Sequence, residues 1–440
     1  MRTRRRIITF VIGAVALAVP ARGQGTAPSA LASQYVDERA GLGLDTAITR
    51  ALEREPSLRA VRSDIEAARG LRRQAALRPN PTLTLERRDE PAGTDNLTGV
   101  GIQWPLDLFR RSGRVRTAER GLQATRFAVA DRERLLAADV RMQYGVAAAA
   151  VRDVSVADEL VAAAERQWEV LRARVEAGAT PPLERDLLDV ELRRLETDRL
   201  LAAGRADVAV VQLKRLLGMS PDEPLLLRET LETLVAAGTS ESASASPVAI
   251  ATRPDVREAE ARVSLADARV DQARREGRVD VSLFGTYMRM DAGFPQQGVG
   301  ATGVLERVRG QFNYVAGGAM VMLPLSDRNQ GLVAAAQAER SGAEARREAA
   351  ELTVRAEVAA AQARDAQARR ALSVYAGGMR TLARQNLNVV RQTFDLGRAT
   401  VFDVLTEQRR YLEIEQAYTT ALREAWEARA ALKRAVGETK

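Results

Sequence analysis

Three segments of this 440-residue chain recur at one fixed spacing. Gln103-Trp104-Pro105-Leu106 returns as Met322-Leu323-Pro324-Leu325. Glu176-Ala177-Gly178-Ala179-Thr180 returns as Asp395-Leu396-Gly397-Arg398-Ala399, and Lys214-Arg215-Leu216-Leu217-Gly218 as Lys433-Arg434-Ala435-Val436-Gly437. All three share an offset of 219 residues, with no gap across more than 110 positions. Repetition on this scale makes each half an equivalent structural unit and imposes quasi-symmetry on whatever the chain builds. Upstream the offset is 198, pairing Pro56 with Pro254 and Pro81 with Val279. The second unit therefore holds 21 extra residues between Val279 and Pro324. Insertions settle in exposed loops, so a longer surface loop is expected there.

The periodicity within each unit changes twice. A helix from about Ser57 to Leu77 stops at Arg78-Pro79-Asn80-Pro81, because proline cannot continue it. Leu83 and Leu85 then alternate with polar residues, and Val100, Ile102, Trp104 and Leu106 with glycine and glutamine. That is strand patterning, at about the ten-residue length of a tilted membrane strand. The β-hairpins are expected at about 81–106 and 279–325. From Ser112 to Ala177 there is no proline and little glycine, which predicts a helix ~100 Å long. Its large apolar residues are sparse and alanine fills the rest, so it must pack closely on neighbours, coiled-coil fashion. Gly178 to Pro182 breaks it, and a second helix returns to Leu217. The helical hairpins are expected at about 112–217 and 329–436. The units run 24–235 and 253–440, joined by a low-complexity linker at 236–252. Phe284, Tyr287, Phe294, Phe312 and Tyr314 gather in the second β-hairpin, as an interfacial aromatic belt or through plain β-propensity.

Residues 1–23 read as a signal peptide. Arg2, Arg4, Arg5 and Arg6 precede the apolar run Ile7 to Ala18, and Ala21-Arg22-Gly23 offers a cleavage site. The general secretory route and a twin-arginine route both fit Thr3-Arg4-Arg5-Arg6. Removing the five arginines of this segment from 66 basic residues leaves an excess of three over 58 acids. That near balance, with charges interspersed, points away from nucleic acid. The chain has no Cys and no His. It therefore cannot carry a lipid on an N-terminal Cys, and it lacks the commonest general base and transition-metal ligand. No enzyme, cofactor or metal site is expected.

Each chain supplies four strands, and about eight is the practical minimum for a membrane barrel. Open edges are not tolerated in lipid. Several chains must share one barrel if the hairpins enter a membrane, and the long helices gain burial the same way, by packing side by side.

These features together resemble the TolC outer-membrane efflux family across essentially the whole mature sequence. The residues that carry the likeness are Arg253-Pro254-Asp255, the Pro-Leu strand ends at 105 and 324, the glycine turns at 178 and 397, and the run Gly397 to Leu405. Pro324-Leu325-Ser326-Asp327-Arg328-Asn329-Gln330-Gly331, with Asn80-Pro81, is most similar to the heavy-metal cation-efflux branch, of cobalt–zinc–cadmium or copper–silver type.

The resemblance implies a mainly α fold with a small β part. Two tandem repeats of helix, β-hairpin and long helical hairpin would assemble as a homotrimer. That trimer would have a 12-stranded outer-membrane barrel and a periplasmic α-helical coiled-coil tunnel. It implies a passive exit duct that works with a periplasmic adaptor protein and an inner-membrane pump, sits in outer-membrane lipid, and binds no nucleic acid. The adaptor-contact tips would be Gly178, Ala179 and Thr180, with Gly397, Arg398, Ala399 and Thr400. A periplasmic gate would use Asp403 and its repeat equivalent Glu184. Thr406 stands where the family has a second acid, which departs from the pattern. A drug, solvent or type I secretion channel of the same family fits these residues as well. A soluble periplasmic coiled-coil adaptor is the alternative of another class, although an adaptor would flank one helical hairpin with compact β-domains.

Overall fold

The computed structural model describes residues 32–91, 95–240 and 251–438. The expected signal peptide and residues 241–250 of the expected linker lie outside the described residues. The first unit opens on α1 (Leu44–Arg54) and α2 (Pro56–Ala76). Glu55 starts α2 by accepting the Leu58 amide at 2.6 Å, and Pro56 occupies the first helical position, where no donor is lost. The hairpin β1 (Thr82–Asp89) and β2 (Asn96–Pro105) follows. Then α3 (Arg111–Glu176) runs 66 residues without a break, and α4 (Pro182–Leu216) returns along it.

A further helix, α5 (Leu231–Ser240), occupies the start of the stretch expected to be linker. Its reason is packing. Leu231 and Leu234 are buried beside Leu422 and Trp426, so the small residues that follow are carried into the helix. The second unit repeats the plan with α6 (Pro254–Glu276), β3 (Asp280–Val299) and β4 (Leu305–Met322). It continues through α7 (Gln330–Val374), a π-helical turn (Tyr375–Met379), α8 (Arg380–Asp395) and α9 (Val401–Val436).

Two expectations are corrected here. The 21 extra residues do not form a long loop. They lengthen both strands, to 20 and 18 residues against 8 and 10 in the first hairpin, because the antiparallel ladder continues through them to Val299 opposite Leu305. The first helix of the hairpin expected at 329–436 is also not continuous. Adjacent Gly377 and Gly378 let the backbone leave helical geometry, with Gly378 at φ 131°, a region that L side chains rarely adopt.

The four strands form one antiparallel sheet in the order β1-β2-β3-β4, so the two units join through the β2–β3 pairing. Below it the long helices pack with alanine at the contacts. Ala137, Ala147, Ala164 and Ala206 are fully buried, and such small residues allow the close approach that ridges-into-grooves packing needs. The collar around the middle is pinned by Tyr144. Its hydroxyl donates to the Leu42 carbonyl at 2.9 Å, accepts the Arg228 amide at 3.2 Å, and bonds Glu229. Burial and the Glu229 carboxylate push that phenol's pKa well up, so it stays a neutral donor.

Candidate functional sites at the helical turns and the sheet

The two turns are built alike. Gly178 sits at φ 70° and Gly397 at φ 71°, the left-handed conformation that ends a helix at little cost only for glycine. The Gly178 amide bonds the Val175 carbonyl at 3.0 Å and the Ala179 amide bonds Arg174 at 2.9 Å. In the second turn Gly397 bonds Phe394 and Arg398 bonds Thr393, both at 2.9 Å. These are the same bonds shifted by 219 residues. A side chain added at either glycine would meet nothing within 4 Å, so both turns present bare backbone to solvent. Gly178, Ala179, Gly397, Arg398 and Thr400 are exposed, while Thr180 and Ala399 are half-buried.

The helix starts beyond the turns differ. Thr400 caps α9 in a reciprocal box, its hydroxyl accepting the Asp403 amide at 3.3 Å while its own amide donates to Asp403 Oδ2 at 2.8 Å. The Thr400 hydroxyl also donates to Asp403 Oδ2, at 2.7 Å. These bonds, first the hydroxyl and then the amide, hold the Asp403 carboxyl below its usual range. Asp403 is thus an exposed, ionised carboxylate with a fixed direction. Glu184 lies in the first turn of α4, where Pro181 leaves the start without a side-chain cap. Thr406, in place of a second acid, bonds the Phe402 carbonyl at 2.7 Å.

The turns are brought together by a residue that sequence reasoning missed. Arg174, near the end of α3, donates to the Phe394 and Asp395 carbonyls at 3.3 and 2.7 Å and covers the Phe394 ring at 5.5 Å. A cation there closes the orphan carbonyls at the end of α8 and opposes its negative dipole end. Beneath it Leu171, Leu188, Phe394, Val401 and Leu405 form one apolar plug joining both hairpins.

A second unforeseen group lies higher, beside the π-helical turn. Glu415, with its side chain 1% exposed, accepts from Arg152 at 2.8 Å and from Arg380 at 2.6 Å. Arg152 also bonds Glu232 at 2.5 Å and the Thr419 hydroxyl, and both arginines stack on Tyr418. Burial alone would raise the Glu415 pKa, but the bonds from Arg380 and Arg152 win and lower it. Arg152 and Glu415 are 263 residues apart and Arg380 and Glu415 35 apart, and no local pattern signals either pair.

In the sheet, cross-strand partners share a face. Leu85, Val100, Tyr287 and Val315 form one continuous row, with Leu83 and Ile102 in the next and Trp104 and Leu283 beyond. All eight are exposed in the single chain. Above this apolar band the row becomes Arg87, Thr98, Arg289 and Asn313. Arg87 donates to the Thr98 hydroxyl at 2.9 Å and the Tyr287 hydroxyl to Asn313 at 2.8 Å. Of the aromatics singled out by sequence, Tyr287 is on this face at the polar rim. Phe284, Phe312 and Tyr314 alternate onto the other face, among Thr84, Gln103 and Thr286. The side chain of Phe294 lies outside the described residues.

Among the described residues no helix is long and apolar enough to cross a membrane, and no cluster of three acidic, His or Cys residues could hold a metal. The fold is that of several solved channels. CusC superposes with TM-score 0.72 at 19% identity, covering 90% of this chain and 92% of that one. MtrE of Neisseria gonorrhoeae, in its open state, gives 0.70 at 21%, covering 90% and 88%. CmeC of Campylobacter jejuni gives 0.70 at 13%, covering 98% and 94%. No curated protein matches by sequence. The family model described as outer membrane efflux protein matches residues 47–219 and 245–438, one match for each structural repeat. Each repeat carries a β-hairpin with an apolar face and a long helical hairpin, and the chain belongs to the outer membrane efflux protein family, whose members are channels and not enzymes.

Proposed function

We propose that three copies of this chain form the outer-membrane exit duct of a tripartite efflux pump, and that the duct conducts heavy-metal cations passively. The observation that carries the assembly is the open sheet. β1 and β4 are both free edges, and the band from Leu83 to Val315 exposes apolar side chains in rows across all four strands. Unpaired backbone cannot sit in lipid, so the edges must be closed by further copies. Three four-stranded sheets give twelve strands, above the minimum for a barrel. The helices then continue as a tunnel wall, with the two glycine turns at its far end. There Gly178, Ala179 and Thr180, with Gly397, Arg398, Ala399 and Thr400, meet a periplasmic adaptor.

The cation cargo is supported by the likeness of Pro324 to Gly331 to the metal-efflux branch. That stretch is the joint between β4 and α7, where Asn329 bonds the Ala273 carbonyl of α6 at 2.7 Å. Asp403 and Glu184 from three chains would place carboxylates near the tunnel end, where a ring of negative charge favours cations.

Light scattering of the detergent-extracted protein tests the assembly. A mass of three chains in the outer membrane supports the duct, and a soluble monomer sinks it. Gly397→Pro is expected to abolish efflux while leaving trimers intact; continued transport would remove the turns from the docking surface. Asp403→Ala is expected to lower the cation/anion permeability ratio in bilayer recordings, and an unchanged ratio would take it out of the gate. Sensitivity of a deletion strain to metal salts, set against organic toxicants, decides the cargo.

A further inference from the structure

We infer that the overlong ends of the three β3–β4 hairpins meet over the outer mouth of the barrel, each docking on the same element of the next copy. The inference rests on the trimeric duct proposed above.

The first argument is reach. β3 pairs with β2 only as far as Asp291, opposite Asn96; beyond it Ala292, Gly293 and Gln297 to Val299 pair with β4 alone. Measured along β4 from Gly310 to Leu305, this free ribbon is about 20 Å long at ~3.3 Å per residue. Twelve strands ~4.8 Å apart and tilted ~40° enclose a barrel of radius about 12 Å. The ribbon is therefore longer than the distance from wall to axis. It also carries a register shift between Gly293 and Gln297, and such irregularities bend and twist a strand pair.

The second argument is surface. The end of the ribbon exposes Val299 at 74%, Leu305 at 62% and Val304 at 60%, which is apolar area with nothing of its own chain to cover it. Its tip, Gly300 to Val304, closes tightly, with the Gly300 amide bonding the Val304 carbonyl at 2.8 Å. The end therefore protrudes as a compact knob.

The third argument identifies the occupant. Val299 faces Leu305 across the ribbon and Gln297 faces Arg307, so these four share one side. Gly298 faces Glu306 on the opposite side, which also holds Val308. The glycines leave room there, since a side chain on Gly298 would press Val308 at 2.9 Å and one on Gly300 would press Glu306 at 2.9 Å. One side is thus apolar with Arg307, the other apolar with Glu306. A ribbon with opposite charges on its two sides is complementary to itself head to tail, and a heterologous contact of that kind closes into a ring. A lipid headgroup surface would be served by cations alone and gives Glu306 no role.

The chain has no Cys, so Leu305→Cys introduces a single thiol. Treating purified trimers with a short bis-maleimide is expected to give one cross-linked pair per trimer, lost when the trimers are dissociated beforehand. Absence of cross-links in a sample whose mass is three chains would overturn the mouth contact while leaving the duct intact; a mass other than three chains would remove both. Replacing residues 296–306 with a two-residue turn is expected to raise single-channel conductance at least twofold, and unchanged conductance would count against the proposal. For Leu305→Trp, blue-shifted emission in detergent trimers is expected. A blue shift that appears only on adding lipopolysaccharide vesicles would assign the tips to lipid instead.

Discussion

The first helical hairpin climbs through 66 unbroken residues of α3, whereas its counterpart is interrupted at Tyr375–Met379 between α7 and α8. The interruption coincides with a change in what holds the hairpin together. Glu415 of α9 is buried between Arg152 and Arg380, the latter being the first residue after the break. Its repeat equivalent, Glu196 of α4, is 30% exposed and pairs with Arg193 one turn away at 3.2 Å. The same acid at the same place in the repeat is half-buried with one exposed partner in one hairpin and the hub of a buried charge network in the other. A helix that loses its regular ladder needs long-range anchors, and the second hairpin draws its anchor from α3 of the first unit.

Replacing the two acids in turn gives the largest expected contrast. Glu415→Ala takes from Arg380 its carboxylate and leaves the buried Arg152 with Glu232 and Thr419 alone, and it is expected to cost about 3 kcal/mol. Glu196→Ala removes a surface pair and is expected to cost no more than ~0.5 kcal/mol. Urea unfolding of the two variants measures both, and equal effects would mean that burial does not distinguish Glu415 from Glu196. Acid separates the two carboxylates as well. The Glu415 pKa is depressed below its ordinary 4.5, so its contribution is complete above that pH and lost as pH falls through the folded value. Glu415→Gln is therefore expected to flatten the fall in stability below pH ~4.5, and a slope identical to the parent's would dissociate Glu415 from the acid response. The smallest contrast is at the turns. Thr400→Ala removes a reciprocal cap and is expected to cost about 1 kcal/mol, while Pro181→Ala, at a start without a side-chain bond, is expected to cost less than half of that. Hydrogen exchange at the first turns of α9 and α4 reads the difference locally.

What could be read from sequence was whatever repeats or alternates. The shared offset located both turns at Gly178 and Gly397, and period-two alternation located β1 and β2 to within a residue or two. The π-helical turn was also visible, as Gly377-Gly378 inside a long helical pattern, but isolated glycines are tolerated in helices and the pair was read through. The extra length of β3 and β4 escaped because insertions usually settle in loops, whereas here the antiparallel ladder resumes beyond a register shift between Gly293 and Gln297. Arg174 and the Glu415 network escaped for a different reason. Arg174 lies 220 residues from the Phe394 carbonyl that it bonds, and Glu415 lies 35 and 263 residues from its two arginines, separations that no local period can encode.

The unequal hairpins also fix a height. If β1 of one copy closes the free edge of β4 in the next, its 8 residues can satisfy no more than 8 of the 18 along β4. Within the chain β2 likewise covers only 10 of the 20 residues of β3. Backbone left over at both seams must stand in water. The short hairpin of the first repeat is therefore the ruler that sets how thick a membrane the wall can span, and lengthening β4 alone would add nothing to it.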